Sequence, residues 1–483
     1  MSGSTRPSTQ PKKQRAGKQS SGKQSARKQS AKSQTTQHKT ARQIAFEALR
    51  AIDRGAFADV VLDRELNRSQ LTTQDKGFTT ELVYGAVRRR RTLDALITQF
   101  GNRDAAKQQA DLLQILRLGF YQLRFLTHVP DHAVVDTSVQ LAKIQRLGKL
   151  SGVVNGMLRA YIRQRAEGVD PLKLPTDATE RLGVLHSYPN WMVDVWRSML
   201  PEAEVEALCE WFNQPPTLDL RIDLRQRSRA EAITRFSEAG IETEKLDAVP
   251  FAPPSALRLK GHSGAVTQLP GYAEGWWAVQ DSSAQLVGYL LDPQPGETII
   301  DACAAPGGKS LHIAELMKDE GMVWSCDRTA SRTKKIQQNI DRLGSSIVRP
   351  LMCDSRNQPT FVEQADRVLL DVPCSGLGTL NRHADARWRQ NPESIAGLVT
   401  LQRELLAHVS TWVKPGGVMV YATCTLHPAE NEEQIQWFLS EFEGWAIEKP
   451  TESAVMPSAE GWVKVLPHRQ NMDGFFMVKL RRG

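Results

Sequence analysis

From about Glu274 to the C-terminus, short apolar runs alternate with helical stretches, which restricts this region to a mostly parallel sheet covered by helices. The run Thr298-Ile299-Ile300 leads straight into Asp301-Ala302-Cys303-Ala304-Ala305-Pro306-Gly307-Gly308-Lys309-Ser310, and a helix follows from Leu311. A glycine-bearing turn at this point lets a ligand approach the backbone beside the positive end of a helix. The turn is neither G-x-G-x-x-G nor a Walker A sequence, so a dinucleotide or nucleoside triphosphate site is not indicated. Alone, it is also compatible with a plain strand–helix connection.

Three further acids stand at strand ends. Asp327 closes Met322–Cys326, Asp354 closes Ile347–Cys353, and Asp371 closes Arg367–Leu370. Ligands of open α/β sheets bind outside the carboxyl ends of the strands, so these acids and Asp301 are expected to line one crevice. An acid after the second strand commonly grips ribose hydroxyls. Any one of them could be a turn residue or cap; four in register favour a nucleoside-like ligand.

The chain has six cysteines and no CxxC pair, which excludes a disulfide scaffold and fits reduced thiols in a cytoplasm-like compartment. Cys209, Cys303, Cys326 and Cys353 read as small buried hydrophobes. Cys374, in Asp371-Val372-Pro373-Cys374-Ser375-Gly376, and Cys424, in Tyr421-Ala422-Thr423-Cys424-Thr425, differ, because both come just past the sheet's ligand-binding edge. A nucleophilic thiolate needs that polar, partly open setting.

At about 150 residues per domain, 483 residues suggest three domains. Helical periodicity starts after a capping Thr40 and recurs over Gly77–Arg88, Thr92–Phe100, Ala110–Phe125, Ala133–Gln145 and Val153–Arg163, giving an all-α domain over 40–165. The stretch Leu112–Leu123 is apolar on most sides, as a central bundle helix should be. The run Arg88-Arg89-Arg90-Arg91 is expected to close a helix; its charges suit the C-terminal dipole, and its mutual repulsion also suits a phosphate backbone. Residues 166–190, with Pro171, Pro175 and Pro189, read as a linker. Mixed helical and strand-like pieces over 191–273 suggest a small α+β RNA-binding subdomain, and 274–483 form the α/β domain.

Formal charge is 62 − 54 = +8, but the excess is confined to the N-terminus. Residues 1–40 hold ten basic residues and no acid, with K-Q-S repeated at Lys18, Lys23 and Lys28. So polar a segment buries too little apolar surface to order itself, and 1–39 is expected to be a disordered basic tail. It reads as a solvated extension, an electrostatic arm for RNA, or a transit peptide. No apolar run reaches transmembrane length, and none behind Met1 resembles a secretory signal.

Together, Asp301–Ser310, Asp371–Ser375 and Ala422–Thr425, with about fifty residues between the two cysteines, resemble the S-adenosylmethionine-dependent RNA cytosine-C5 methyltransferases. Arg382–Trp388, Asn431-Glu432-Glu433 and Asp473-Gly474-Phe475-Phe476 add to the likeness. Glu81–Gly85 and Val154–Arg159 resemble the NusB-type RNA-binding domain, and the pairing looks like the RsmB (Sun/Fmu) branch, which modifies 16S ribosomal RNA. The resemblance spans about residue 40 to 483. It implies a multidomain protein: an all-α NusB-like domain, a small α+β domain and a Rossmann-like class I methyltransferase domain.

The resemblance also implies roles. Cys424 would attack cytosine C6 and Cys374 would assist release; Asp371 would hold the base or the methionine end of the cofactor, and Lys309 would supply positive charge near the ring. S-adenosyl-L-methionine would be held by Cys303, Ala304, Ala305, Pro306, Gly307, Gly308 and Lys309, with Asp327, Asp354 and Asp371. The target must be single-stranded or flipped out. A cytoplasmic monomer acting on small-subunit ribosomal RNA is expected, with no metal and no membrane. The alternatives are a tRNA or DNA cytosine-C5 methyltransferase, the latter with Cys374 as nucleophile, or a non-catalytic RNA-binding factor on an inactive methyltransferase fold.

Overall fold

The computed structural model describes residues 39–246, 253–261, 264–450 and 457–483. Apart from Lys39, the tail expected to be disordered lies outside the described residues.

Seven helices form the N-terminal bundle: α1 (Ala41–Asp53), α2 (Ala58–Arg68), α3 (Thr73–Arg88), α4 (Arg90–Phe100), α5 (Ala110–Phe125), α6 (Asp131–Ile144) and α7 (Ser151–Ala166). Thr40 starts α1 with a capping box, its side chain accepting from Gln43 N–H while the Gln43 side chain accepts from Thr40 N–H. Every residue from Leu112 to Leu123 is buried, so α5 is the central helix. Helix α2 goes beyond the expected set: it buries only Ala58, Val61 and Leu62 among charged neighbours, too narrow a stripe to stand out by periodicity. The arginine run does not close one helix but joins two, Arg88 ending α3 and Arg90 opening α4.

The stretch expected to be a linker holds a helix, α8 (Ala178–His186). Asp177 caps it by accepting from Glu180 N–H, and Leu182 and Val184 are buried. The three prolines lie outside its bounds, so they punctuate the segment without preventing the helix. Helices α9 (Asn190–Met199) and α10 (Glu202–Trp211) follow, and Trp196 and Leu208 pack with Leu377, Leu380 and Leu426 of the C-terminal half.

A four-stranded antiparallel sheet comes next, from β1 (Leu218–Ile222), β2 (Thr243–Glu244), β3 (Ala256–Leu259) and β4 (Trp277–Val279), in the order β2-β3-β1-β4. Helix α11 (Arg229–Glu238) covers it, with Leu220, Phe236, Leu257 and Trp277 in the core.

The C-terminal domain contains α12 (Ser282–Leu291), β5 (Thr298–Asp301), α13 (Gly308–Leu316), β6 (Met322–Asp327), α14 (Ala330–Leu343), β7 (Val348–Met352) and β8 (Ala365–Asp371). It continues with α15 (Ala386–Arg389), α16 (Pro392–Val409), β9 (Val413–Thr423), α17 (Glu432–Glu441), β10 (Trp445–Ile447), β11 (Val463–Val465), α18 (Pro467–Gln470) and β12 (Phe475–Arg482). The sheet order is β10-β12-β9-β8-β5-β6-β7, with β11 on β12. Strands β5 to β9 are parallel, and β12 runs antiparallel to β9. The chain steps outward from β5 to β7 and then returns to β8 and β9 on the other side. Strand order therefore reverses between β5 and β8, which is where a doubly wound sheet opens a ligand crevice. The expected all-α, α+β and α/β layout is what the chain adopts. Among the described residues, no helix is long and apolar enough to cross a membrane.

Candidate active site

Asp301, the last residue of β5, lies beneath the glycine turn and is buried. One carboxylate oxygen accepts from Ser310 Oγ at 2.6 Å, and the other has no hydrogen-bond partner. Burial pushes this carboxyl up to about 7. Gly307 turns the chain with φ +99°, where a side chain would be strained and its Cβ would sit 3.1 Å from Ile336. At Gly308, the first residue of α13, a Cβ would meet nothing within 4 Å, so the backbone there faces open space. Helix α14 holds the outside of the turn: Arg332 donates to the Ala305 carbonyl at 3.3 Å and Asn339 to that of Pro306 at 2.9 Å. Ala304 N–H donates to the Cys326 carbonyl at 2.8 Å, and burial pushes the Cys303 thiol well above its ordinary range.

Across the switch point, Lys309 Nζ meets Asp371 Oδ2 at 2.6 Å and lies 5.3 Å from the centre of the Phe475 ring. Burial alone would lower the lysine's pKa, but the Asp371 carboxylate raises it above the ordinary value, so Lys309 carries its charge. Asp371 ends β8 and Thr423 ends β9, and these parallel neighbours deliver Cys374 and Cys424 to one place. The two Sγ atoms are 3.4 Å apart, and both residues are half-buried. The hydrogen bond to Cys424, together with burial, pushes the Cys374 thiol well up.

The loops bearing the cysteines are fastened from below. Gly378 N–H donates to the Cys424 carbonyl at 2.9 Å, and Gly474 N–H to the Gly378 carbonyl at 2.7 Å. A Cβ on Gly378 would lie 2.1 Å from the Gly474 carbonyl oxygen, so only glycine fits this crossing. Asn431 brackets Cys424 by accepting from Thr423 Oγ1 at 2.6 Å and donating to the Thr425 carbonyl at 2.9 Å. Arg382 joins the loop to Asp473 at 2.5 Å and to Asp281, at the start of α12, at 2.7 Å.

The expected residues do not all converge. Asp301, Lys309, Asp371, Cys374 and Cys424 share the β5/β8/β9 edge, with Cys303–Gly308 forming the turn above Asp301. Asp327 closes β6 farther along, accepting from Thr329 N–H at 3.2 Å with Arg332 at 3.3 Å. Asp354, after β7, is engaged by Arg356 through both oxygens at 2.7 and 3.0 Å, which holds it down to about 2.

Two residues escaped sequence reasoning. Glu430 is fully buried beneath both cysteine loops, accepting from Ser375 N–H at 2.9 Å, from the Ser375 hydroxyl, and from Gln402 Nε2 at 3.0 Å. Ser375 Oγ also lies 2.8 Å from Thr425 Oγ1, so this one carboxylate ties together the residues that follow each cysteine. Arg221 of β1, also fully buried, binds Glu315 of α13 through two bonds and donates to the Gly308 carbonyl at 2.7 Å. The small sheet thereby braces the residue preceding Lys309. No local pattern separates either side chain from a surface charge.

Residues 288–481 match the family model described as 16S rRNA methyltransferase RsmB/F. Residues 39–163 match the NusB family, and 188–265 an RsmF/B-like, ferredoxin-like domain. A probable ribosomal RNA small subunit methyltransferase B from Synechocystis sp. is 47% identical over 92% of this chain and 99% of its own length. One from Bacillus subtilis is 36% identical over the same shares. The crystal structure of PH0851 superposes with a TM-score of 0.75 at 26% identity, covering 92% of this chain and 99% of that one. Such end-to-end likeness, carrying the edge that holds both cysteines, makes this chain a member of the ribosomal RNA small subunit methyltransferase B family.

Proposed function

We propose that the chain methylates C5 of a cytosine in 16S ribosomal RNA through a transient bond between Cys424 and C6 of the base. The observation that carries this reading is the 3.4 Å approach of Cys374 and Cys424 at the edge where Lys309 and Asp371 pair. The names borne by the relatives support small-subunit ribosomal RNA as the substrate.

The residues present fit S-adenosylmethionine: an unpartnered buried carboxylate oxygen on Asp301, open backbone at Gly308, the first turn of α13, and Asp327 at the next strand end. The turn Cys303–Lys309, Asp327 and Asp371 would hold it, with Asp354 reached only by sharing Arg356. When bound, it supplies an electrophilic methyl group.

C5 of cytosine is a poor carbon nucleophile, and the protein's task is to activate it. Cys424 adds as thiolate to C6, and the C5–C6 π electrons become available at C5. Lys309 offers positive charge where the ring gains electron density. Asp371, held by Lys309, is available to the base. Once C5 carries the methyl group, H5 leaves as a proton taken up by solvent water, its bonding pair restores the C5–C6 double bond, and the C6–S bond breaks to expel the Cys424 thiolate. Cys374 Sγ lies 3.4 Å from the departing sulfur, which suits a role in release.

The test is methyl transfer to in vitro transcribed 16S RNA. Cys424→Ala is expected to abolish turnover without a covalent adduct. Cys374→Ala is expected to accumulate a protein–RNA adduct that survives denaturation. Normal turnover by Cys424→Ala with loss in Cys374→Ala would reverse the assignment and favour Cys374 as nucleophile. Bisulfite mapping of ribosomal RNA from cells with and without the protein identifies the base.

A further inference from the structure

The arginine run that promised phosphate contacts is largely committed inside the molecule. Arg88 donates to the Asn381 carbonyl at 3.1 Å, Arg89 packs over the Phe125 ring at 4.7 Å, and Arg91 donates to the Tyr188 carbonyl and to Asn190, both at 2.6 Å. Arg90 differs. Among the described residues its only ion partner is Asp53, at 4.0 Å; its guanidinium lies 5.6 Å from the centre of the Trp388 ring, and it faces a cavity of about 330 Å³ where α1, α3 and α5 meet α15.

That cavity has the composition of a ligand site. One wall is apolar, from Leu49, Ile52 and Val87, completed by the indole of Trp388, whose N–H is fixed on the Val87 carbonyl at 2.7 Å. Two carboxylates reach the cavity against three guanidiniums, those of Arg90, Arg117 and Arg389. Asp385 accepts from Ala58 N–H at the start of α2, and Asp53 lies 3.6 Å from Arg117. Arg117 is further neutralised by a two-bond contact with Asp94. The lining therefore carries one cation in excess, and Arg90 and Arg389 are the arginines not held by a close ion pair among the described residues; Arg389 packs over Phe57 and donates to the Gly55 carbonyl at 3.0 Å. Gln114, 2% exposed, is among the lining residues; its amide oxygen accepts from Arg117 at 3.4 Å, and its buried amide nitrogen has no hydrogen-bond partner.

An apolar wall, an amide nitrogen without a partner and an excess of arginine over carboxylate match a base with its phosphate. We propose that this junction cavity receives one nucleotide of the substrate RNA, away from the methylated base. The base lies against the Trp388 wall, an acceptor on it takes the Gln114 amide, and the flanking phosphates meet Arg90 and Arg389. The chain favours a strand of RNA over a free nucleotide. The segment carrying Trp388 and Arg389 runs on to Gln390, which donates to the Ser375 carbonyl beside Cys374 at 3.1 Å. A nucleotide seated here is thus linked through one short segment to the catalytic loop.

The proposal rests on the reading of the chain as an RNA methyltransferase, and its test separates the two. Binding of a mixed-sequence single-stranded 12-mer RNA and of AMP is measured on the full-length protein at several salt concentrations. The double substitution Arg90→Glu/Arg389→Glu is expected to weaken the 12-mer about tenfold and to flatten the salt dependence by about 1.4, the share of two phosphate contacts on a single strand. Gln114→Leu, close in shape, is expected to weaken the 12-mer about fivefold while lowering the thermal midpoint only slightly, because it forfeits a single long contact of 3.4 Å from Arg117 to the amide oxygen and Arg117 keeps its two bonds to Asp94. Unchanged 12-mer affinity and salt slope in all variants would overturn the cavity proposal alone. AMP binding that falls in the variants while the 12-mer is unaffected makes the cavity a small-molecule site and overturns it too. An unsubstituted protein with no RNA affinity overturns the methyltransferase reading itself.

Discussion

Replacing Glu430 tests whether one buried carboxylate sets the distance between the two sulfurs. Truncation by Glu430→Ala removes the acceptor of the Ser375 and Gln402 N–H groups; the Ser375 hydroxyl can turn to Thr425 Oγ1 at 2.8 Å. Gln402 Nε2 keeps a second acceptor in the Pro373 carbonyl at 3.0 Å, so only the Ser375 amide is wholly orphaned. An orphaned buried donor costs about 1–3 kcal/mol, with about 1 kcal/mol more for the weakened Gln402 contact. Burial raises the Glu430 carboxyl, so removing its charge recovers part of that cost, and the net destabilisation is expected to be only about 1–3 kcal/mol. The effect on chemistry should be larger, because a misplacement of about 1 Å in a reacting pair can cost roughly 10²-fold in rate. Single-turnover methyl transfer at saturating RNA is therefore expected to slow about 10²-fold in Glu430→Ala with an unchanged KM for RNA. Glu430→Gln keeps one oxygen for Ser375 N–H and Gln402 and should stay within about tenfold of the unsubstituted rate. A thiol-bridging bis-alkylating reagent should link Cys374 to Cys424 more slowly in the alanine variant. Wild-type rates of both methyl transfer and bridging in Glu430→Ala would refute the reasoning.

Arg221→Met strands the Glu315 carboxylate and is expected to cost about 3–5 kcal/mol, read by chemical denaturation. Arg221→Met/Glu315→Leu should recover most of that loss yet still bind S-adenosylmethionine more weakly, because the Gly308 carbonyl has lost its brace; full recovery of affinity would show that Arg221 matters only for folding. Asp301 titrates at about 7 in the fold against an ordinary 3.8, so the stability tied to its neutral form is complete below about pH 4 and is lost as pH rises through 7. That shift is worth roughly 4 kcal/mol at most, and Asp301→Asn should flatten the fall in thermal midpoint between pH 5 and 8; an unaltered slope contradicts it. Lys309→Met leaves Asp371 without its cation and should lower turnover at least about tenfold, with RNA affinity intact; equal turnover excludes Lys309 from the chemistry.

Much of this protein could be read locally. The β–α alternation, the acids closing β5, β6 and β8, the glycine turn before α13, and the central helix α5 all depend on residues within a few positions of one another, and each is found where periodicity and turn chemistry put it. Cys374 and Cys424 were also legible as a pair, since parallel strands place corresponding C-terminal ends side by side.

What the chain's order of residues could not reveal is where its charges go. The Arg88–Arg91 run looked like one basic patch, but its fate depended on carbonyls and side chains far along the chain, such as Asn381, 293 positions from Arg88. Helix α8 was hidden among prolines because its stability comes from Leu182 and Val184 packing against distant segments. Glu430 and Arg221 carry the same letters as surface residues, and only the tertiary structure buries them. A side chain's periodicity is set by its own backbone, whereas the partner of a buried charge is set by whichever remote group the fold brings within about 3 Å, where desolvation demands that it be matched.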